Sequence, residues 1–326
     1  MIRKWKYISF VLVIIFSAQE GSAQLLNEFL SITLRDHVYW NPAAIAIDDR
    51  PSVGIIYKDV HIGLDQSPLH YSANYQHPVR FQNSAFSAIL RNDFLGDLRQ
   101  TQLSFGYRYT LFNHRLDDQK LFLGLSTDFM QDRVIADNFF AKDIDDPLVL
   151  LDNENAYNFD LNFGVFYQIY FPSEDVHGSS TITAGWSMNN LLGGENVFLD
   201  TTEIDIVRTD RLRHMFSTVG WNKDLSLFDL DVRYFNSWAL ASDMNHTILL
   251  SLKDMYYQSF TIGYSTTNDL ILGWGFDMTD YDDAKVEADI SFYYGLDNVL
   301  ETNRNGLQIS IKYLFAPKPW TTSDFR

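Results

Sequence analysis

The sequence contains no cysteine, comparatively few basic residues and, after its first two dozen positions, no long apolar run. Without cysteine, an exported fold must hold together without disulfides, and thiolate metal sites are excluded. The 42 acidic residues outnumber the 25 basic ones, which gives a net charge of −17. This balance argues against nucleic-acid binding, because such binding depends on basic surfaces that neutralise phosphates. The lack of a second apolar run excludes a transmembrane helix beyond the N-terminal segment.

The N-terminus has the three parts of a secretory signal peptide. A basic start at residues 3–6 precedes an apolar run of about a dozen residues, and Gly21-Ser22-Ala23 offers a small-x-small cleavage site. The run is shorter than the roughly 20 apolar residues that a membrane anchor needs. We therefore predict a cleaved signal peptide at residues 1–23 and an exported chain that begins at Gln24.

Alternation of polar and apolar residues is the dominant pattern of the remaining chain. In YNFDLNFGVFYQIYF, residues 157–171, apolar residues alternate with Asn158, Asp160, Asn162, Gly164 and Gln168. Successive side chains of a strand point to opposite faces, so this stretch is a strand with one apolar and one polar ribbon. A soluble sandwich and a membrane barrel both produce this pattern, with the apolar ribbon facing inward in the first and outward in the second.

The number and length of such runs favour the barrel. Period two over nine to twelve residues predicts strands and fits no helix. About 14 strands result, an even number, as single-chain outer-membrane barrels have. They are long for a sandwich, whereas a membrane strand needs about nine to eleven residues. The clearest runs lie at 98–109, 225–235, 285–294 and 307–315, and weaker ones at 52–60, 69–77, 84–92, 119–131, 179–188, 212–222, 246–254, 257–267 and 270–278.

Connection lengths support the same fold class, an all-β transmembrane antiparallel barrel of the outer membrane. If the first strand rises from the periplasm, the longest connections, near 132–155 and 189–211, lie outside the cell. Tight turns near 223–224 and 255–256 then lie on the periplasmic side, which is the asymmetry typical of these barrels. We expect an interfacial girdle of aromatic residues at Tyr107, Tyr109, Tyr167, Tyr313 and Phe315.

The predicted organisation has four parts. A signal peptide at 1–23 precedes a pre-barrel segment at 24–50, which is either periplasmic or a plug. The barrel covers 51–315, and a periplasmic tail covers 316–326. The apolar ribbons of the barrel would contact the lipid of the outer membrane.

No catalytic or metal-binding constellation is evident. The chain has no Gly-x-Ser-x-Gly elbow, His-Glu-x-x-His helix or phosphate loop. His214 and Asp231 could approach each other across neighbouring strands, but a hydrated lumenal histidine is the simpler interpretation. The aspartate clusters at 143–146 and 280–283 lack the pattern of a calcium loop and are interpreted as solvated loops. The sequence predicts a protein that is not an enzyme and needs neither metal nor cofactor.

Charged residues on the polar ribbons are predicted to line the lumen. They either form a selective pore or pair with one another and fill a closed lumen. A barrel of this size admits water unless side chains or segments plug it. The bulk of the tyrosine and arginine side chains favours the plugged alternative. The lumenal set comprises Arg108, Asp160, Asp229, Asp231, Arg233, Glu287, Asp289 and Lys312.

Three segments carry a resemblance to a known family. They are YWNPAAIA at 39–46, the hairpin layout of SVGIIYKDVHIGLDQSPLHYSANYQHPV at 52–79, and GWSMNNLLGG at 185–194. With them, the chain resembles the PorP/SprF family of outer-membrane proteins of the type IX secretion system and gliding-motility machinery of Bacteroidetes.

The resemblance implies a non-enzymatic component that helps particular cargo or adhesin proteins reach the cell surface. Its implied partners are a periplasmic peptidoglycan-associated protein, components of the secretion ring, and a secreted cargo or adhesin. The residues that would bind partners are Tyr39, Trp40, Asn41, Pro42, Asn190, Leu191 and Leu192. The first four could instead plug the barrel mouth or cap its first strand, and the last three could form a loop folded into the lumen.

Two other hypotheses are open. The chain could be a passive outer-membrane channel for small or apolar solutes, with a cation preference that follows from its acidic balance. An outer-membrane hydrolase is the third, although the sequence shows no constellation for it.

Overall fold

A computed structural model describes the chain between residues 36 and 316, apart from 63–66, 80–81, 97, 115–118, 136–153, 174–177, 199–206, 212, 226, 240–243, 255–256, 267–268, 280–282 and 297–304. The predicted signal peptide, most of the predicted tail and the first aspartate cluster lie outside the described residues. In the part of the chain that is described, no helix is long and apolar enough to cross a membrane.

Fourteen antiparallel strands close into a single barrel, which confirms the predicted fold class and strand number. Each strand pairs with its neighbours in chain order, and β1 pairs with β16 to close the barrel, from Ser52 opposite Leu314 to Asp59 opposite Leu307. Two further strands, β8 and β9, form a separate hairpin inside the connection between β7 and β10. The strands are β1 (Ser52–Asp59), β2 (Leu69–Val79), β3 (Ser84–Leu95), β4 (Leu98–His114), β5 (Gln119–Val134), β6 (Glu154–Phe171), β7 (Ser180–Asn189), β8 (Gly194–Phe198), β9 (Val207–Arg211), β10 (His214–Leu225), β11 (Phe228–Ala239), β12 (Met244–Asp254), β13 (Gln258–Ser265), β14 (Asp269–Thr279), β15 (Lys285–Gly295) and β16 (Asn305–Leu314).

The side-chain alternation places the apolar ribbons outside. Along β6, Phe159 is exposed on the outer surface, whereas Asp160 and Asn162 are buried inside the barrel. The same parity holds along β4, where Phe105 and Tyr107 are exposed and Ser104 is buried. Because a barrel in lipid must satisfy all backbone polar groups within its own ladder, closure and an outward apolar ribbon belong together.

The two ends of the barrel differ. At one, which we call the terminal end, Pro51 precedes β1, Phe315 follows β16, and the Phe315 N–H donates to the Pro51 carbonyl at 3.0 Å. At the other, the loop end, lie the two longest connections, 135–153 and 190–213. The tight turn expected near 223–224 lies at 226–227, because β10 continues to Leu225.

The segment 36–50, which we call the plug, lies inside the barrel. It contains two 3-10 helices, His37–Tyr39 and Pro42–Ala44. Its apolar residues pack against three different parts of the inner wall, on β1 and β3, on β5 and β6, and on β11, β12 and β14. The hydrophobic core of this barrel is therefore formed between the plug and the wall rather than between two sheets.

Candidate functional site

Trp40 is the main apolar anchor of the plug. It is 3 % exposed and packs with Phe235, Leu249 and Ile271. Its ring meets that of Phe235 edge-on, with centroids 5.3 Å apart. Gly185 on β7 leaves room for it, because a Cβ there would lie 3.1 Å from Trp40 Cη2. An aromatic side chain of this size dominates the packing energy of any surface that it joins.

Asn41 and Pro42 fix the turn of the plug against the wall at β6 and β7. Asn41 Oδ1 accepts from the Ala43 N–H at 2.9 Å, which caps the second 3-10 helix, and proline follows at the first helical position. Asn41 Nδ2 donates to the carbonyls of Val165 at 3.0 Å and Trp186 at 3.3 Å. One side chain thus joins the plug to both β6 and β7.

Tyr39 holds the plug to the opposite wall. Its hydroxyl oxygen accepts from Asn74 Nδ2 at 2.7 Å, and its carbonyl accepts from Arg91 Nη2 at 3.3 Å. Burial, with the nearby charge of Asp36, raises the pKa of Tyr39 to about 12. The phenol therefore stays protonated at any physiological pH.

His37 lies against a charged pair on β11. Arg233 forms a two-pronged ion pair with Asp231, with contacts of 3.0 and 2.7 Å. Arg233 Nη1 also lies 3.2 Å from His37 Nε2. A guanidinium can only donate, so Nε2 accepts and the ring is neutral with its proton on Nδ1. Burial and the positive charges of Arg233 and Lys312 hold the pKa of His37 well below 6.5.

The carboxylates of the plug meet cations of the wall near the terminal end. Arg108 is 2 % exposed, donates to the Ala46 carbonyl at 3.0 Å and reaches Asp49 at 3.3 Å. Lys120 donates to the other oxygen of Asp49 at 3.0 Å. Lys312 lies 3.6 Å from Asp36 and 3.9 Å from Asp48. Each of these plug carboxylates thus lies within 4 Å of a cation of the wall.

Two cavities border the plug. One of about 330 Å³ lies between the plug and the wall from β10 to β16 and on to β1 and β2, and it is lined by both acidic and basic residues, including the ion pairs of Asp277 with Lys253 and Lys285. The second, of about 320 Å³, lies between the plug and β6, β7, β10 and β11. Both are lined by Asp36 and Lys312, so they meet at the terminal-end face of the plug.

The predicted lumenal residues occupy two places. Arg108 contacts the plug and Asp160 lies on the loop side of it, both fully buried. Six others line the 330 Å³ cavity: Asp229, Asp231, Arg233, Glu287, Asp289 and Lys312. The structure does not bring His214 and Asp231 together. His214 pairs with Ala239 and Asp231 with Asn222, so they lie about 26 Å apart at about 3.3 Å per residue. Within the described ranges, no group of three histidine or acidic side chains could hold a metal ion.

The seven residues expected to bind partners lie in two separate places. Tyr39, Trp40, Asn41 and Pro42 lie within the plug and are buried, so they contact the barrel itself. The other three form the loop after β7, whose backbone bonds to β6. The Asn190 N–H donates to Asn162 Oδ1 and the Leu192 N–H to Asp160 Oδ1, both at 3.0 Å. The Leu192 side chain is 52 % exposed.

The apolar residues of the inner wall were not predicted from the sequence. Phe122, Phe166, Phe235, Leu249 and Ile271 are buried and face the plug. Each lies at a position where the alternation along its strand predicts a polar, lumen-facing residue. An apolar residue at such a position is the signal that could have located the contacts of the plug.

Three sequence segments converge on this site. YWNPAAIA supplies the plug, and its Ala46 N–H donates to Gln76 Oε1 at 2.6 Å, in the hairpin 52–79. From GWSMNNLLGG, Ser187 Oγ donates to the Trp40 carbonyl at 2.6 Å. The three strings that are distinctive in the sequence are therefore one structural unit, a plug and the two stretches of wall that hold it.

A closed antiparallel barrel with an apolar outer surface and a polar lumen is an outer-membrane barrel. Residues 33–313 match the family described as type IX secretion system membrane protein PorP/SprF. The chain belongs to the PorP/SprF family.

The chain is similar to several solved structures at low sequence identity. The chain is similar to CymD, a monoaromatic hydrocarbon channel, with 12 % identity and a TM-score of 0.51 over 91 % of this chain and 95 % of that one. It is also similar to a FadL homologue of Pseudomonas aeruginosa (10 % identity, TM-score 0.45, 85 % and 92 % covered) and to the Pseudomonas putida toluene transporter TodX (12 %, 0.42, 84 % and 91 %). The likeness to CymD shows the fold alone. Among curated proteins, none matches this sequence.

Proposed function

We propose that this protein is a non-enzymatic outer-membrane component of the type IX secretion system that assists the secretion or surface attachment of cargo or adhesin proteins. The observation that carries the proposal is the plug, which is anchored on three parts of the wall. A barrel filled in this way is suited to holding partners at its two ends rather than to passing solutes. Family membership supports the assignment to the secretion system, and the filled lumen supports a role in holding partners.

The two ends suit different partners. We assign the terminal end to the periplasm and the loop end to the cell surface, because long connections lie outside in barrels of this kind. Under this assignment Pro51 and Phe315, which flank the first and last barrel strands, lie on the periplasmic side. A peptidoglycan-associated protein and components of the secretion ring would dock there. Cargo or a motility adhesin would be held at the loop end.

A pull-down from native outer membranes tests the proposal. The full chain, tagged at its C-terminus, is purified in a mild detergent and its companions are identified by mass spectrometry. An unrelated outer-membrane barrel with the same tag is the control. Specific recovery of a periplasmic peptidoglycan-binding protein, of secretion-ring components or of one exported adhesin is expected.

The competing function is a passive channel for small or apolar solutes. It is favoured by the two cavities beside the plug. In planar bilayers a channel gives steady conductance from the unmodified protein. If the protein is recovered alone and conducts, the secretion role is wrong and the channel takes its place.

A further inference from the structure

Two arginines lie side by side on the outer surface of the barrel, near the loop end. Arg99 on β4 is directly opposite Arg133 on β5, and both side chains are exposed. They have the parity of Leu103 and Phe129, another opposite pair of the same two strands, which is exposed on the outer surface. The Cβ atoms of directly opposite residues lie about 4.5–5.5 Å apart, so the two guanidinium groups can reach one anion together.

The two arginines have no acidic partner within the part of the chain that the structure describes. No ion pair there joins Arg99 or Arg133 to a carboxylate, whereas Arg108 in the lumen pairs with Asp49. Like charges directly opposite each other in a sheet are destabilising. An anion between the two side chains would therefore stabilise this part of the wall, because it forms charge-assisted hydrogen bonds with both.

The arginine pair lies just beyond the apolar band of the wall. On β4 the exposed apolar and aromatic side chains run from Leu103 to Leu111, which is nine residues. A membrane strand needs about nine to eleven residues to cross the hydrocarbon. Arg99 lies four residues beyond Leu103, or about 14 Å along the strand at about 3.4 Å per residue. The pair is therefore at the level of lipid head groups rather than of acyl chains.

A row of uncharged polar side chains separates the arginine pair from the apolar band. Thr101 Oγ1 donates to Asn92 Oδ1 at 2.8 Å, and Gln131 Nε2 donates to the Tyr157 hydroxyl at 3.3 Å. These four residues form one cross-strand row from β3 to β6. Polar groups are costly to bury in hydrocarbon, and tyrosine is typical of the membrane interface. The row marks that interface, and the arginine pair lies on its aqueous side.

The chemistry of the surface fits an anionic lipid better than a soluble anion. A guanidinium binds phosphate through two parallel N–H bonds, which gives the pair its preference for a phosphate group. Towards the terminal end, Leu103, Phe129 and Phe159 lie in one exposed cross-strand row, with the two phenylalanine rings 5.2 Å apart. A lipid whose phosphate lies between the arginines would place its acyl chains along this row, a contact that free phosphate cannot make.

We propose that Arg99 and Arg133 bind a phosphate group of lipid A, the glycolipid anchor of the outer leaflet. The arginines would bind the phosphate, and the outward apolar residues of β4 to β6 would contact the acyl chains. The site depends on the assignment of the loop end to the cell surface and is independent of the secretion role, so it goes beyond the proposed function.

Native mass spectrometry of the purified full-length protein, titrated with lipid in a mild detergent, tests this. The probes are diphosphoryl lipid A, the same lipid after enzymatic removal of its phosphates, phosphatidylglycerol and inorganic phosphate. We expect lipid A to bind at least about tenfold more tightly than its dephosphorylated form, since each lost charge-assisted hydrogen bond costs about that factor. Phosphatidylglycerol should bind more weakly than lipid A, and inorganic phosphate at the same concentration should not displace lipid A.

Single charge-removing variants locate the site. Arg99→Gln and Arg133→Gln should each weaken the binding of lipid A by about tenfold, because each removes one of the two guanidinium groups. Arg213→Gln is the matched control, since Arg213 is an exposed arginine that precedes β10 at the same end of the barrel. It should bind lipid A as the parent protein does.

A thermal measurement on the double variant Arg99→Gln/Arg133→Gln gives a second readout. Heat-modifiable migration in gels verifies that its barrel is folded. Lipid A should raise the thermal midpoint of the parent protein and of Arg213→Gln but not that of the double variant, because a ligand stabilises the state that binds it. The proposal is overturned if the double variant binds lipid A as tightly as the parent, or if dephosphorylated lipid A or phosphatidylglycerol binds equally well. It is also overturned if inorganic phosphate alone raises the midpoint as much as lipid A.

Discussion

Asn41 of the plug lies against Gly164 of β6 so closely that a Cβ at position 164 would be 1.9 Å from Asn41 Oδ1. Real Cβ atoms do not approach other atoms so closely, and the same asparagine also bonds to the carbonyls of Val165 and Trp186. The absence of a side chain at position 164 therefore allows the plug to contact the wall. Its neighbour in this contact, Pro42, has little freedom to move away.

Gly164→Ala is predicted to unseat the plug. Since Asn41 and the new methyl group cannot both fit, the overpacking should cost about 1–3 kcal/mol. The chain has no cysteine, so Ala44→Cys, beside the second cavity, gives a single thiol whose labelling by a maleimide reports plug release. Labelling should be faster in the Gly164→Ala background.

The matched control for that experiment is Gly273→Ala on β14. A Cβ there would lie 3.1 Å from Ser291 Oγ and 3.3 Å from Thr261 Cβ, contacts that small side-chain movements relieve. It should leave the labelling rate unchanged. Equal rates in all three backgrounds would show that the Asn41 contact does not hold the plug.

Trp40→Ala is predicted to release the plug more fully. Truncating a buried aromatic residue typically costs about 3–5 kcal/mol, and here the loss falls on the contact with β11, β12 and β14. Ion conductance in planar bilayers should rise from near zero to frequent openings. Trp274→Ala, a lipid-facing tryptophan, is the control and should remain closed. A closed Trp40→Ala barrel would mean that the remaining contacts suffice.

His37 makes the plug sensitive to pH. Its pKa is lowered in the folded state, so the unfolded chain binds more protons below about 6.5. Stability should therefore be full above about pH 7 and fall as the pH drops below about 6.5. Protonation would place a second positive charge 3.2 Å from Arg233 Nη1.

The thermal midpoint of the folded barrel, measured between pH 8 and pH 5, checks this sign. His37→Gln should reduce the slope of the profile in that range without removing it, because glutamine can still accept from Arg233 without titrating, while other buried histidines of the barrel remain. His77→Gln, at an exposed histidine, should retain the slope of the parent protein. A parent profile that rises towards pH 5 would contradict the assignment of a neutral, buried His37.

Arg108→Lys should not be a conservative change. Lysine cannot both reach the Ala46 carbonyl and pair with Asp49, and it loses the stacking of the guanidinium 4.6 Å from the Phe122 ring centroid. We expect a loss of about 1–3 kcal/mol in urea unfolding followed by tryptophan fluorescence. Lys120→Arg, at a less buried partner of Asp49, is the control and should be close to neutral.

The alternation of residues predicted the barrel well because the lipid imposes it on every strand. Outward positions must be apolar along the whole hydrocarbon thickness, so the pattern repeats fourteen times and errors at single strands do not matter. Strand boundaries were predicted less well: β4 ends at His114 rather than at Tyr109, and β10 ends three residues later than expected.

The plug was harder to predict because it obeys no periodic rule. Phe166 interrupts the polar ribbon of β6 between Gly164 and Gln168, and it is buried against Ala43 and Ala44. From the sequence alone this phenylalanine is one irregularity in an alternating strand. Its meaning depends on a segment more than a hundred positions away, and nothing local encodes that contact.

The sequence predicted which charged residues face the lumen but not which residues they pair with. Parity indicates that Arg108 and Lys312 point inward, yet their partners Asp49 and Asp36 belong to the plug. The loop Asn190–Leu192 shows the same limit. Its residue types suggested a binding patch or a lumenal loop, whereas in the structure its backbone N–H groups donate to side chains of β6.

The seam between β1 and β16 joins the first strand of the barrel to the last, with Ser52 opposite Leu314. Its two strands lie at opposite ends of the barrel sequence, and the plug directly precedes β1 in the chain. The wall must therefore assemble around a segment that is already in place, or else that segment must be threaded into a finished cylinder past its own ion pairs. Assembly of the wall around the plug is the simpler route, and the plug would then act as a template for the barrel. Variants that loosen the plug should therefore slow the closure of the barrel during its insertion into the membrane, before any change is visible in the mature protein.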